Sequence, residues 1–441
     1  MKTPSFLHSL PVLCLLLLSG CGGGGADVGL MGYSGGYTSG TTGNYGGGTS
    51  TLPNGSNATA TFTQTLPVTN TQGSPANQVG VVIEQNPAAS ALGSYSTNTP
   101  FVSINLCNAS TQPAVCQTID HVLVDTGSYG LRLLASVVNP SLNLTPIQSG
   151  PLVAECATFV SGFMWGSVYT ASLQMNGELA KNVSIHLVAD SSLPGAPASC
   201  TGTGTDIGNL ASIGGNGILG VGSLIQDQGN YYTCSAGNCT SINLPLSSQV
   251  SNPVAFFALD NNGVLLQFPA IPNSGQSSVT GTLTFGLNTQ TNNHLTGFSI
   301  LPSDLSTYFN ATIAGQSYPQ SFIDSGSVYN YITLPGLTLN GNGDYAPGSY
   351  TIYPATLSSN TPTAANPNPL PVEFGVQDST LLNFTANAAF NDIVDPGSSG
   401  SADFGMSFFY GKTIGFALVG STLPQGTGPF YAIQCTNSNC L

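Results

Sequence analysis

Two short segments of this chain could carry chemistry as a pair. One apolar run leads into Val124, Asp125, Thr126, Gly127 and Ser128, and another leads into Ile323, Asp324, Ser325, Gly326 and Ser327. Each is followed downstream by apolar residues ending in glycine: Gly217 to Gly220 after the first, Asp403 to Gly405 after the second. The order aspartate loop, then apolar residues and glycine, thus occurs twice, as a weak internal repeat. Two carboxyls side by side cannot both ionise easily, so they share one proton and titrate together. Such a pair is base and acid at once: one carboxylate activates a water while the other acid protonates a carbonyl oxygen. The neighbours have physical roles. Gly127 and Gly326 let the backbone turn tightly and approach closely. The hydroxyls of Thr126 and Ser325 can lock the loops to each other, and those of Ser128 and Ser327 can orient the carboxylates.

Other constellations are weaker. The run Gly215-x-Gly217-x-x-Gly220 satisfies the dinucleotide fingerprint but lacks the βαβ unit that gives it meaning. The elbow-like Gly32 to Gly36 sits in a Gly/Ser/Thr tract where no strand or helix is expected. His121, His186 and His294 are far apart and no Cys-x-x-Cys occurs, so no metal and no cofactor is expected. These histidines read as structural or surface residues.

The elements that must hold the aspartates are strands. Val79–Ile83, Phe101–Leu106, His121–Val124, Gly281–Phe285 and Thr413–Leu418 alternate or are β-rich, and each is bounded by turn residues. Long amphipathic helical patterns are absent, and 55 glycines with 29 prolines fit a turn-dense all-β protein. The stretch from Pro362 to Pro371 reads as a surface loop.

On these residues the chain resembles the pepsin-like aspartic proteases. The two Asp-Thr/Ser-Gly-Ser loops match that family's catalytic loops, and Gly217 to Gly220 looks like its apolar-glycine strand in the first lobe. Phe404 to Leu418 looks like the strand, short helix and last strand of the second lobe, and Gly281 to Gly286 like the strand crossing between lobes. The resemblance implies a bilobal fold of two β-barrel-like lobes with a cleft between them. It implies Asp125 and Asp324 as the catalytic dyad, no cofactor, and an extended peptide or protein substrate bound as an added strand. The first lobe is expected over 61–275 and the second over 276–441, in a monomer. The family's flap carries a tyrosine followed by glycines. Here Phe159 takes the tyrosine's place if Gly162 is the tip, and Trp165 if Gly166 is; neither supplies a phenol. Arg132 stands where the family commonly has a tryptophan. It is expected either to stack on Trp165 as a cation–π pair of ~0.5–2 kcal/mol or to lie solvated on a strand edge.

The front end and the composition set the compartment. Lys2 precedes an apolar run from Val12 to Leu18, too short to span a bilayer. It ends at Leu18, Ser19, Gly20 and Cys21, a pattern similar to a bacterial lipobox. Residues 1–20 are therefore read as a signal peptide, Cys21 as the lipidation site, and 21–60 as a flexible tether. An ordinary secretory signal is the alternative. The whole chain also resembles a group of bacterial exported lipoproteins known only as a domain of unknown function. Eight cysteines remain, and proximity pairs Cys107 with Cys116, Cys156 with Cys200, Cys234 with Cys239 and Cys435 with Cys440. Beyond the signal only Arg132, Lys181 and Lys412 stand against 18 acidic residues, which excludes nucleic-acid binding. Few ion pairs also mean few to lose on protonation, which favours tolerance of acid. Three functions follow as expectations: an acid-active endopeptidase anchored at the outer membrane or cell surface, a binding module on the same fold, or a structural surface protein whose Asp-Gly-Ser loops are turns.

Overall fold

The computed structural model describes residues 75–108, 115–235, 237–341, 343–360 and 369–435. The expected signal and tether with Cys21, the first residues of the expected first lobe, and Cys440 lie outside them.

Strands are the main regular structure, and the helices among the described residues are only three or four residues long, as the turn-dense composition leads one to expect. A 16-stranded sheet with barrel-like closure carries the first aspartate loop, and a seven-stranded sheet carries the second. Strands Gly263–Gln267 and Val279–Phe285 are antiparallel neighbours in the larger sheet, which therefore runs across the 275/276 boundary. All five sequence-predicted strands are present, and the chain returns once more through Phe430–Cys435 beside Lys412–Ala417. The glycines of the dinucleotide-like motif belong to strand Gly217–Val221 and the turn before it, and the next element is another strand, Asn230–Ser235, where the motif needs a helix. The loop expected over 362–371 falls mostly outside the described residues, and Leu370 and Pro371 open strand Leu370–Val376.

The internal repeat is a repeat of topology. Strand Cys116–Asp125 lies parallel to Gly217–Val221, with Val124 beside Leu219 and Asp125 beside Gly220. Gly217–Val221 in turn pairs antiparallel with Tyr129–Leu134, the strand leaving the first aspartate loop. In the other half, Gln316–Ile323 lies parallel to Ala402–Phe404, which pairs antiparallel with Asn330–Ile332. Each aspartate loop thus straddles a strand that returns from far downstream. The glycine after each apolar run is a consequence of that threading. A β-carbon on Gly220 would come 2.5 Å from the Tyr129 nitrogen, and one on Gly405 would come 1.8 Å from the Tyr329 oxygen.

One apolar core runs through both halves, including Val124, Leu219, Ile323, Phe404 and Phe416. Three disulfides close the expected pairs, Cys107–Cys116, Cys156–Cys200 and Cys234–Cys239, and Cys435 is disulfide-bonded as well.

Replacing Gly405 by alanine forces the returning strand away from Tyr329. The expected cost is ~2–4 kcal/mol, read as a fall in the guanidinium unfolding midpoint. A midpoint equal to the parent's would mean that the threading tolerates a side chain there.

Candidate active site

The two loops meet tip to tip and hold each other by an exchange of hydrogen bonds. The Thr126 N–H donates to Ser325 Oγ at 3.1 Å, and the Ser325 N–H donates to Thr126 Oγ1 at 2.9 Å. The Ser325 hydroxyl donates onward to the Val124 carbonyl at 2.7 Å. Gly326 is where the opposite carboxyl comes closest: a β-carbon there would sit 2.6 Å from Asp125 Oδ1.

Both carboxyls are fully buried. Asp125 Oδ1 accepts the N–H groups of Gly127 (2.9 Å) and Ser128 (3.1 Å), and Oδ2 accepts the Ser128 hydroxyl. Asp324 Oδ1 accepts the Gly326 N–H at 2.7 Å, and Oδ2 accepts the Ser327 hydroxyl at 3.0 Å. Burial first, then the charges of Asp125 and Asp403, hold the Asp324 carboxyl well above the usual carboxylate range, and its hydrogen bond with Asp125 adds to this. The structure therefore brings Asp125, Thr126, Gly127, Ser128, Asp324, Ser325, Gly326 and Ser327 into one cluster. Chemically it is two acids in contact, each with its outer oxygen held by a hydroxyl and its inner oxygen by main-chain donors.

The flap candidates separate. Strands Leu152–Phe159 and Gly162–Met175 form a hairpin whose last pair is Phe159 with Gly162, so Gly162 is at the tip and Gly166 is mid-strand opposite Glu155. Phe159 packs with Phe101, Leu123 and Ile218. Trp165 points elsewhere: it lies edge-on to Tyr232, donates Nε1–H to the Pro194 carbonyl at 2.9 Å, and packs in the cluster around Cys156 and Cys200.

Both expectations for Arg132 are overturned. It is 4% exposed, on a strand with neighbours on both sides, and its guanidinium lies 5.6 Å from the Phe159 ring centroid. A buried cation needs acid partners. Arg132 donates to Glu155 Oε1 at 3.0 Å, to Asp227 Oδ2 at 2.8 Å and to the Tyr129 carbonyl at 2.7 Å. Tyr231 donates its hydroxyl to Asp227 Oδ1 at 2.7 Å. Burial, followed by the Glu155 charge, pushes the Asp227 carboxyl well up, with Arg132 opposing. Burial and then Arg132 push His186 down to about 3, so it is neutral, and its 3.2 Å approach to Glu155 is no ion pair. Glu155, Asp227 and Tyr231 carry no motif. The signal that could have found the acids is the sole arginine within a run of otherwise apolar strand residues.

Nothing in the sequence singles out Asn98, and Asp403 stands there only as part of the second loop's follower. Asn98, at φ 48°, donates to the Val328 carbonyl (2.7 Å) and the Phe390 carbonyl (2.8 Å) and accepts from the Phe390 N–H and the Tyr410 hydroxyl. It ties the chain before the first aspartate to the residue just after the second loop. Asp403 Oδ2 lies 2.6 Å from the Ser327 hydroxyl oxygen.

The profile of a family described as "Protein of unknown function (DUF3443)" matches residues 73–433. The chain belongs to the DUF3443 family. The match to DUF3443 takes in both aspartate loops, both returning strands and the Arg132 network. No curated protein matches the chain.

Two expectations follow. Arg132→Ala leaves two acids facing each other in the interior and should cost ~3–5 kcal/mol in denaturant unfolding. A loss within error of zero would place the network outside the folding core. The second concerns pH. Burial is the first cause that raises Asp227, Asp324 and Asp403, and it pushes Glu178 and Asp395 up to about 7. A carboxyl raised in the folded state contributes stability that is present in acid and lost as pH rises through its folded value. Burial raises Glu84 and Asp392 as well. His186, between 6.5 and about 3, and Asp120, lowered by its hydrogen bond with His121, act oppositely, but they are two groups against seven. The melting temperature should therefore fall as pH rises from mildly acidic to above about 7; a rise over that range in differential scanning fluorimetry contradicts this sign.

Proposed function

We propose that this chain is an exported, lipid-anchored aspartic endopeptidase of the pepsin-like kind, hydrolysing peptide bonds with the Asp125–Asp324 pair and an activated water. The observation that carries the reading is the pair of topologically matched loops that place two carboxyls in contact. One acid is hard to ionise beside the other, which is the condition for general-base and general-acid roles at one site. Thr126 and Ser325 set the spacing of the pair, and Ser128 and Ser327 orient it. The substrate is an extended peptide laid between two lobes, with apolar side chains preferred because few charged residues are available to line its pockets. Three disulfides support an oxidising compartment. Lipidation at Cys21, with 21–60 as tether, would hold the enzyme at the outer membrane or cell surface.

A second reading has its own support. Both aspartates are fully buried, and neither Phe159 nor Trp165 can offer the flap hydroxyl. A catalytically weak module that binds peptides, proteins or glycans on the same scaffold accounts for both observations.

The deciding experiment is cleavage of a mixed peptide library by the disulfide-intact protein from about pH 2 to about pH 7. Acid-dependent cleavage is expected, falling ~10²–10⁴-fold in Asp125→Asn and in Asp324→Asn. Absence of cleavage from correctly folded protein at every pH replaces the enzyme with the binding module.

A further inference from the structure

Ser327 stands between two carboxyls. Its Oγ is 3.0 Å from Asp324 Oδ2 and 2.6 Å from Asp403 Oδ2. A serine hydroxyl has one hydrogen, so it can donate to only one of them. The other acid must carry a proton and donate to the serine oxygen, or two oxygens face each other with no hydrogen between them. The opposite loop has no such problem. Phe404 pairs with Ile323 as Leu219 pairs with Val124, so Asp403 occupies the place that Ile218 holds in the first half. Only one of the two loops has a third carboxyl behind its serine.

The partners of each acid decide where the protons sit. Asp125 receives three donors, from Gly127 and Ser128. Asp324 receives the Gly326 N–H and is hydrogen-bonded to Asp125. Asp403 is buried and its Oδ1 has no partner. A buried carboxylate with a bare oxygen is far costlier than a neutral acid in the same place. One arrangement satisfies these contacts with a single charge. Asp125 is ionised, Asp324 carries the proton it shares with Asp125, Asp403 is neutral and donates to Ser327, and Ser327 donates to Asp324 Oδ2.

We propose that Asp403 is a positioning residue: kept neutral, it aims the Ser327 hydroxyl at the outer oxygen of Asp324 and so keeps the Asp324 proton on the side facing Asp125. This rests on the dyad reading above. When Asp403 ionises, its proton leaves to solvent and the Ser327 hydroxyl turns to the new anion. The outer oxygen of Asp324 loses its donor, and the Asp324 proton moves to that oxygen to bond Ser327. The proton is then no longer shared between Asp125 and Asp324. The titratable groups that face Asp403 are Asp324 and Asp125 from the two loops and Tyr331 from the adjoining strand. All are acids or a phenol, and none supplies a positive charge to favour its ionised form.

The test uses two variants, Asp403→Asn, whose amide donates permanently, and Asp403→Ile, which copies Ile218. Infrared spectra at neutral pH read the carbonyl band of protonated carboxyls whether or not the protein cleaves anything. The wild type should show a component that disappears in both variants. An unchanged band means that Asp403 is ionised, and the proposal falls. In the cleavage assay the alkaline limb of the kcat/KM profile should move up by at least ~1 pH unit in both variants, and the Asp403 substitutions should have no further effect in a Ser327→Ala background. A limb that stays in place in a folded variant also overturns the proposal. If the infrared component behaves as expected while no peptide is cut at any pH, it is the dyad reading that fails, and the proton arrangement around Ser327 stands.

Discussion

The exchange between Thr126 and Ser325 is the contact on which the rest of the site depends. Each loop offers its main-chain N–H to the other's hydroxyl. Neither loop could satisfy that donor alone, and each is buried where an unpaired N–H costs ~1–3 kcal/mol. The two halves are thereby locked in a register that puts Asp125 against the glycine after Ser325. The strands behind the loops are arranged so that this register can exist. A returning strand runs beside each aspartate strand, and a glycine at its end lets the loop close over it.

The same economy governs charge throughout the interior. With three lysines and arginines beyond the expected signal, the protein cannot pair most of its buried acids with cations. Arg132 serves Glu155 and Asp227 together, and elsewhere hydroxyls and main-chain N–H groups do the work that lysine or arginine would do in another protein. Asp324, Asp395 and Asp403 are consequently raised by burial. Protons act as the counterions of this fold, and acid is the condition in which they are supplied.

Much of this was legible in the residues. The four-residue loops carry their own geometry, because the hydroxyl after each aspartate and the one three positions on have only a few oxygens within reach. Disulfides between cysteines close in sequence were legible for the same local reason, and so were strands with clear alternation. Arg132 was not. Its partners lie 23 and 95 residues away, and nothing local in strand Leu152–Phe159 marks Glu155 as inward-facing when its neighbours are buried too. One of the two expectations puts Trp165 on Arg132, because the resemblance gives Arg132 the place of a supporting tryptophan and Trp165 that of a flap tyrosine. The pleat instead turns Trp165 to the cluster around the Cys156–Cys200 disulfide. Asp403 was visible as a residue of the repeat, but its meaning appears only when the two halves are laid over each other and an aspartate stands where its twin has isoleucine.

Asn98 gives the molecule an order of assembly. It lies ahead of the first aspartate, yet its side chain closes on Val328, Phe390 and Tyr410, as far as 312 residues along the chain. Thr126 likewise waits for Ser325. A ribosome delivers the N-terminal half first, and contacts this distant in sequence form late and slowly. Until Asp324 and Ser325 are made, 199 residues after Asp125 and Thr126, the chain holds the first aspartate in an unlocked loop. The half-made molecule has no second aspartate loop to pair with the first.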